Sequence, residues 1–133
     1  MASMDVWDEF QQQMITTPRS GFNPCVFWNE STASLAASGT LTGTTRDASA
    51  TSGVNGTFGS FNAFARADQA GTVRIEGSNN KTLWYAVTAD VAMAANTPVI
   101  LTVPVMTRYH RVVVVNGATP QTSFFCNSGY TAS

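Results

Sequence analysis

The sequence predicts an all-β fold: an antiparallel, jelly-roll-like β-sandwich preceded by a short N-terminal arm, helical or extended. Three observations carry that prediction. Apolar and polar residues alternate with a period of two over several short segments, strictly so at Thr72-Val-Arg-Ile-Glu76. Turn-forming residues interrupt the chain every ~8–12 residues, the spacing of sandwiches and barrels. The single stretch of helical periodicity stands at the N-terminus, apart from all the strands, which excludes βαβ units and a parallel sheet.

The arm comes first. Over Asp5–Ile15, Trp7, Phe10 and Met14 recur at helical spacing, Val6 widens their stripe, and Gln11–Gln13 fall largely opposite. Ser3 or Asp5 serves as a cap, and Asp8 and Glu9 sit early, where a helix dipole favours anions. Eleven residues are marginal for an isolated helix, so the apolar face needs a partner, either its own domain or a neighbouring subunit. Thr16–Pro24 reads as a linker, broken by Pro18, Gly21 and Pro24. The division expected is therefore arm and linker over 1–24 and a sandwich over 25–133.

Cys25–Trp28 reads as the first strand. Ser31–Gly59, rich in Ser, Thr, Ala and Gly, reads as a long loop with short strands around Thr40–Thr45 and Thr51–Phe58. Phe61–Arg66 alternates, with aromatic residues on both faces. Thr72–Glu76 places Val73 and Ile75 inward and Arg74 and Glu76 outward, followed by a turn over Gly77–Asn80. Thr82–Thr88, Pro98–Met106, Tyr109–Val115 and Gln121–Phe125 complete the set. Pro104 marks an edge or a bulge, and Asn116-Gly117 a turn.

Composition narrows the function. Only 15 of 133 residues are charged, 11% against a usual ~25%, and Ser and Thr fill 30 positions instead. The net charge is −1 with no cationic cluster, which argues against a nucleic-acid partner. A chain with so little charge has weak electrostatic protection against association, a pointer to assembly. The first 20 residues lack a basic start and an apolar run, and Pro98–Met106 is too short to span a bilayer, so no membrane partner is expected. Cys25 and Cys126 lie far apart without a metal-type spacing; they read as reduced thiols, with a disulfide as the other option.

No catalytic constellation emerges, and neither a metal nor a cofactor is expected. His110, the one histidine, lies within a strand between Tyr109 and Arg111, where a surface or interface role is the ordinary reading. Asp68, Glu76 and Asp90 have no spacing that argues for a glycosidase pair. The segment Gly53–Gly59 carries no lysine and is not a phosphate loop, and no G-x-S-x-G elbow is present. Asn29, Asn55 and Asn80 open formal glycosylation tripeptides, which arise by chance in such a composition. Trp28, Trp84 and Tyr85 read first as core residues. The alternative places Trp84, Tyr85, Tyr109 and His110 at an interface or facing a glycan.

Two stretches resemble a β-sandwich module of tailed-bacteriophage virion proteins: Phe64–Trp84, FARADQAGTVRIEGSNNKTLW, and Tyr109–Phe124, YHRVVVVNGATPQTSF. The first carries a D-Q-A-G-T turn into an I-E-x-S strand, an Asx-rich turn and a Trp; the second a closing strand pair joined by N-G-A-T. They cover a quarter to a third of the chain. The resemblance implies a structural virion component, not an enzyme, among capsid decoration, fibre and tail-associated proteins. The expectation drawn from it is a decoration (cement) protein on the outer capsid surface, made in the host bacterial cytoplasm. It would bind the major capsid protein and its own kind, as a trimer rather than a dimer, with Trp7, Phe10 and Met14 as the clamping arm. The alternative is a fibre, neck or tail-associated module recognising host-surface carbohydrate. A small-virus shell subunit fits less well, since no basic arm is present to neutralise a genome.

Overall fold

The computed structural model describes residues 25–31, 33–51 and 58–132. The arm with Trp7, Phe10 and Met14, the linker, and most of the strand expected over 51–58 lie outside the described residues. Among the described residues the elements run β1 (Cys25–Asn29), β2 (Thr40–Thr42), β3 (Arg46–Asp47), α1 (Ala48–Thr51), β4 (Ser60–Ala67), β5 (Gly71–Ser78), β6 (Tyr85–Ala86), β7 (Val91–Met93), β8 (Val99–Pro104), β9 (Tyr109–Asn116) and β10 (Phe124–Thr131).

The strands form two antiparallel sheets. The first has the order β1-β10-β4-β8; the second runs β2-β9-β5-β6, with β3 also paired to β9 and β7 to β5. If β2 with β3 and β6 with β7 are taken as interrupted strands, each sheet has four positions. The chain then passes between sheets in the interleaved order of a jelly-roll-like sandwich. The predicted fold class holds.

Period-two alternation builds the core. In β4, Phe61, Ala63, Ala65 and Ala67 point inward and are buried, while Asn62, Phe64 and Arg66 point out. The opposing sheet contributes Val73, Ile75, Val112 and Val114, all fully enclosed, with Val73 and Ile75 inward as their spacing requires. Tyr130 stands at the centre, in edge contact with Trp28 and Phe61 and stacked on Phe58.

His110 belongs to this core rather than to the surface. Its ring is 1% exposed and stacks on Phe61 at 4.9 Å. The Thr107 hydroxyl donates to the Tyr109 carbonyl, so it can only accept from His110 Nε2; Nδ1 therefore accepts from the Tyr130 hydroxyl at 2.8 Å. These bonds fix a neutral imidazole. Burial without a carboxylate partner pushes its pKa down to about 4.

Glu30 rivets the two sheets at one end. Its buried carboxylate accepts from Arg46 Nε at 2.9 Å, from the Ser128 hydroxyl and from the Thr44 amide. The Arg46 guanidinium in turn lies 4.2 Å from the Trp28 ring centre.

Two departures from the expected strands have local causes. Only Tyr85–Ala86 of the span Thr82–Thr88 pairs as a strand. Ahead of it, Asn80 Oδ1 accepts from the amides of Thr82 and Leu83, and Lys81 adopts a φ of 65°. Such side-chain bonds compete with a ladder. In contrast, β10 runs six residues past Phe125, to Thr131, through Cys-Asn-Ser-Gly. Its place between β1 and β4 supplies backbone partners on both sides, which outweighs a composition poor in strand formers. Pro104 ends β8, an edge strand paired to β4 alone, where a missing amide costs no ladder bond.

Candidate functional site

The outer face of the first sheet is the candidate site. Its four strands carry one charged side chain, Arg66. Pairing sets the outward residues in rows: Phe27, Gly129, Asn62 and Thr102 in one, and Asn29, Asn127, Phe64 and Ile100 in the next. Gly129 shapes the surface. A Cβ there would collide with the Phe27 ring and the Val26 carbonyl, so glycine alone lets Phe27 lie across the middle of the sheet.

The result is a shallow groove of about 490 Å³ lined by Phe27, Phe64, Ile100 and Phe125, with Asn62, Asn127 and Thr131 among them. Ile100 is 67% exposed, Phe27 53% and Phe125 45%. The Phe64 and Phe125 rings meet edge to face at 5.6 Å. Asn62 is paired within the face: it donates to Thr131 Oγ1 at 3.0 Å and accepts from the Thr102 hydroxyl at 2.8 Å. Arg66, beside Phe125 in register, donates to Asn96 at 3.5 Å. Exposed apolar surface with a few polar groups among it is the chemistry of a docking face.

The outer face of the second sheet is built differently. Glu76 accepts from Arg111 at 2.8 Å and from Arg74 at 2.7 Å, and Arg74 reaches Asp90 at 3.3 Å. Burial pushes the Glu76 carboxyl up, but hydrogen bonds from Arg111 and Arg74 outweigh it and hold the group below its ordinary range. The Arg111 guanidinium covers one face of Trp84, with 4.0 Å to the ring centre.

The expected site residues are scattered. Tyr109 is buried within the chain, flanked by the Lys81 and Arg108 cations, and His110 lies in the core, so neither faces a partner. Trp84 is half-buried and its indole N–H donates to the Lys81 carbonyl; Tyr85 is 64% exposed. The expectation that these two fill the core fails, because β6 is a short outlying strand, whereas Trp28 does pack against the core. Cys25 is an exposed free thiol; Cys126 is a buried one, which burial pushes up to about 12. No group of three or more His, Cys, Asp or Glu side chains fit to hold a metal occurs among the described residues. The groove residues themselves escaped the sequence reading. Their one signal was the aromatic pair Phe61 and Phe64 on opposite faces of a single strand.

Asp68, in the D-Q-A-G-T turn, accepts from the Thr122 hydroxyl and the amides of Thr122 and Ser123. The two stretches that resemble the phage module are thus bonded to each other. Over residues 20–131 the sequence matches the family described as the N-terminal domain of the uncharacterised protein YqxG. The chain belongs to that family. Among solved structures it is similar to the PBSX exported protein XepA, at 27% identity and a TM-score of 0.69. That match covers 81% of this chain and 37% of the XepA chain. PirA (11% identity, TM-score 0.47, 80% of this chain and 92% of that one) is too loose a match to carry an argument. So is the pilus protein of Bacillus endospore appendages (20%, 0.42, 84% and 87%). No curated protein sequence matches the chain. The β-sandwich fold is thus shared with about a third of the XepA chain.

Proposed function

We propose that this chain is a bacteriophage capsid decoration (cement) protein that oligomerises and clamps neighbouring major capsid subunits to stabilise the shell. The observation that carries the reading is the apolar outer face of the first sheet, with Arg66 its one charged side chain, open in the isolated chain. A face of that kind serves a binding protein rather than a catalyst, and the resemblance of two stretches to a phage virion module supports the virion setting. The residues divide into an arm and linker, 1–24, and the sandwich, 25–133. The arm residues Trp7, Phe10 and Met14 act as the clamp, and a trimer on the outer capsid surface is the working assembly. Many weak contacts on one lattice then act at high effective concentration.

Copy number in the native particle, measured by gel densitometry against the major shell subunit, tests this. A count comparable to that subunit supports decoration; a many-fold lower count overturns it in favour of a fibre, neck or tail-associated module. Tyr85, the most exposed aromatic among the described residues, gives that second reading a candidate sugar-stacking side chain. A glycan array without signal removes it.

A further inference from the structure

We propose that the groove on the first sheet receives the N-terminal segment, residues 5–15, of a second copy of this chain. This deepens the reading above: it rests on self-assembly and names the partner of the apolar face. Complementarity comes first. The groove offers Phe27, Phe64, Ile100 and Phe125, and the segment offers Trp7, Phe10 and Met14 on one stripe. The dimensions agree, since three helical turns span ~16 Å and four strands at ~4.8 Å spacing span ~14 Å. The charges agree as well. Arg66 is the one cation of the face and has no carboxylate partner among the described residues, whereas the segment opens with Asp5, Asp8 and Glu9.

The linker decides between the chain's own groove and a neighbour's. It joins the sandwich at Cys25, which pairs with Thr131, itself a groove residue. Docking at home would therefore need only a short return. Instead nine residues, Thr16–Pro24, intervene, and Pro18 and Pro24 favour extension at both ends. Extended, they reach ~30 Å, about the width of a domain whose radius of gyration is ~13 Å. That is the distance to the next copy. Such arms can be exchanged reciprocally in a two-fold dimer or passed head to tail round a ring, and either arrangement covers the groove.

Cysteine cross-linking of the full chain tests the proposal. In a Cys25→Ser background, one chain carries Gln11→Cys, four residues after Trp7 and three before Met14 and so at the edge of the stripe, and another Thr102→Cys, beside Asn62 in the groove. Buried Cys126 stays out of the exchange. Mixed and oxidised at micromolar concentration, the two single variants should form a disulfide dimer. A control pair, Gln11→Cys with Tyr85→Cys on the second sheet, should not. The doubly substituted chain, Gln11→Cys with Thr102→Cys, should link between chains. Linkage only within that chain would overturn the proposal in favour of the chain's own arm. No linkage above the control would overturn it in favour of another occupant. A chain that exchanges arms yet is scarce in particles would sink the decoration reading and leave this one standing.

Discussion

The two outer faces of the sandwich are each centred on a pair of eight-residue strands and differ in chemistry. On the second sheet, Arg74, Glu76, Arg111 and Asp90 satisfy one another, and Arg111 shields Trp84. On the first sheet, Phe27, Phe64, Ile100 and Phe125 stand open around a glycine, with one arginine at the margin. Charge is thus unevenly placed: four charged side chains pair on the second face, where Leu83, Tyr85 and Val87 still stand exposed around β6, and one lies on the first. A surface that has satisfied itself has little to gain from association, whereas one that exposes aromatic rings gains by covering them.

The largest effect should come from the floor of the first face. Gly129→Ala forces a Cβ into the Phe27 ring and the Val26 carbonyl, and should destabilise the fold by about 3 kcal/mol in urea unfolding. The core between the faces provides a pH test of similar size. His110 has a folded value near 4 and an ordinary value of 6.5. The unfolded chain therefore binds the extra proton first. The His110 contribution should be full above pH 6.5, fall as the pH drops from there to about 4, and level off below, a loss of the order of 3 kcal/mol. Unfolding of His110→Asn should lack that slope.

On the second face, Glu76→Ala leaves Arg74 and Arg111 without their carboxylate and should cost about 2 kcal/mol. Because the folded Glu76 value is depressed, its contribution is complete above the unfolded value of ~4.3 and is lost as the pH falls through the folded one. Glu76→Gln should flatten that acid limb and leave the His110 slope intact. The smallest stability effect belongs to Ile100→Asp. The residue is largely exposed, so unfolding should change by less than ~0.5 kcal/mol.

The fold was legible because its signal is local. Val73 and Ile75 against Arg74 and Glu76 state a strand and its faces within a few residues, and the apolar run Tyr109–Val115 states its strand. Thr82–Thr88 misled because its apolar content says nothing of the Asn80 bonds that hold the chain off the ladder. The groove was illegible for a different reason. Phe27, Phe64, Ile100 and Phe125 come from four strands widely separated in sequence, and each alone reads as core. Only the order β1-β10-β4-β8 brings them to one outer face. His110 shows the converse. A lone strand histidine reads as surface until Tyr130 and Thr107 arrive to satisfy both ring nitrogens.

The central claim is that the first sheet, and not the second, is the assembly face. Sedimentation velocity of the full chain beside Ile100→Asp and Tyr85→Asp, at one concentration and with melting checked for each, tests it most directly. The account predicts that the parent chain and Tyr85→Asp sediment as the same oligomer while Ile100→Asp sediments as a folded monomer. An Ile100→Asp chain that keeps the oligomer, or a Tyr85→Asp chain that loses it, would contradict the account.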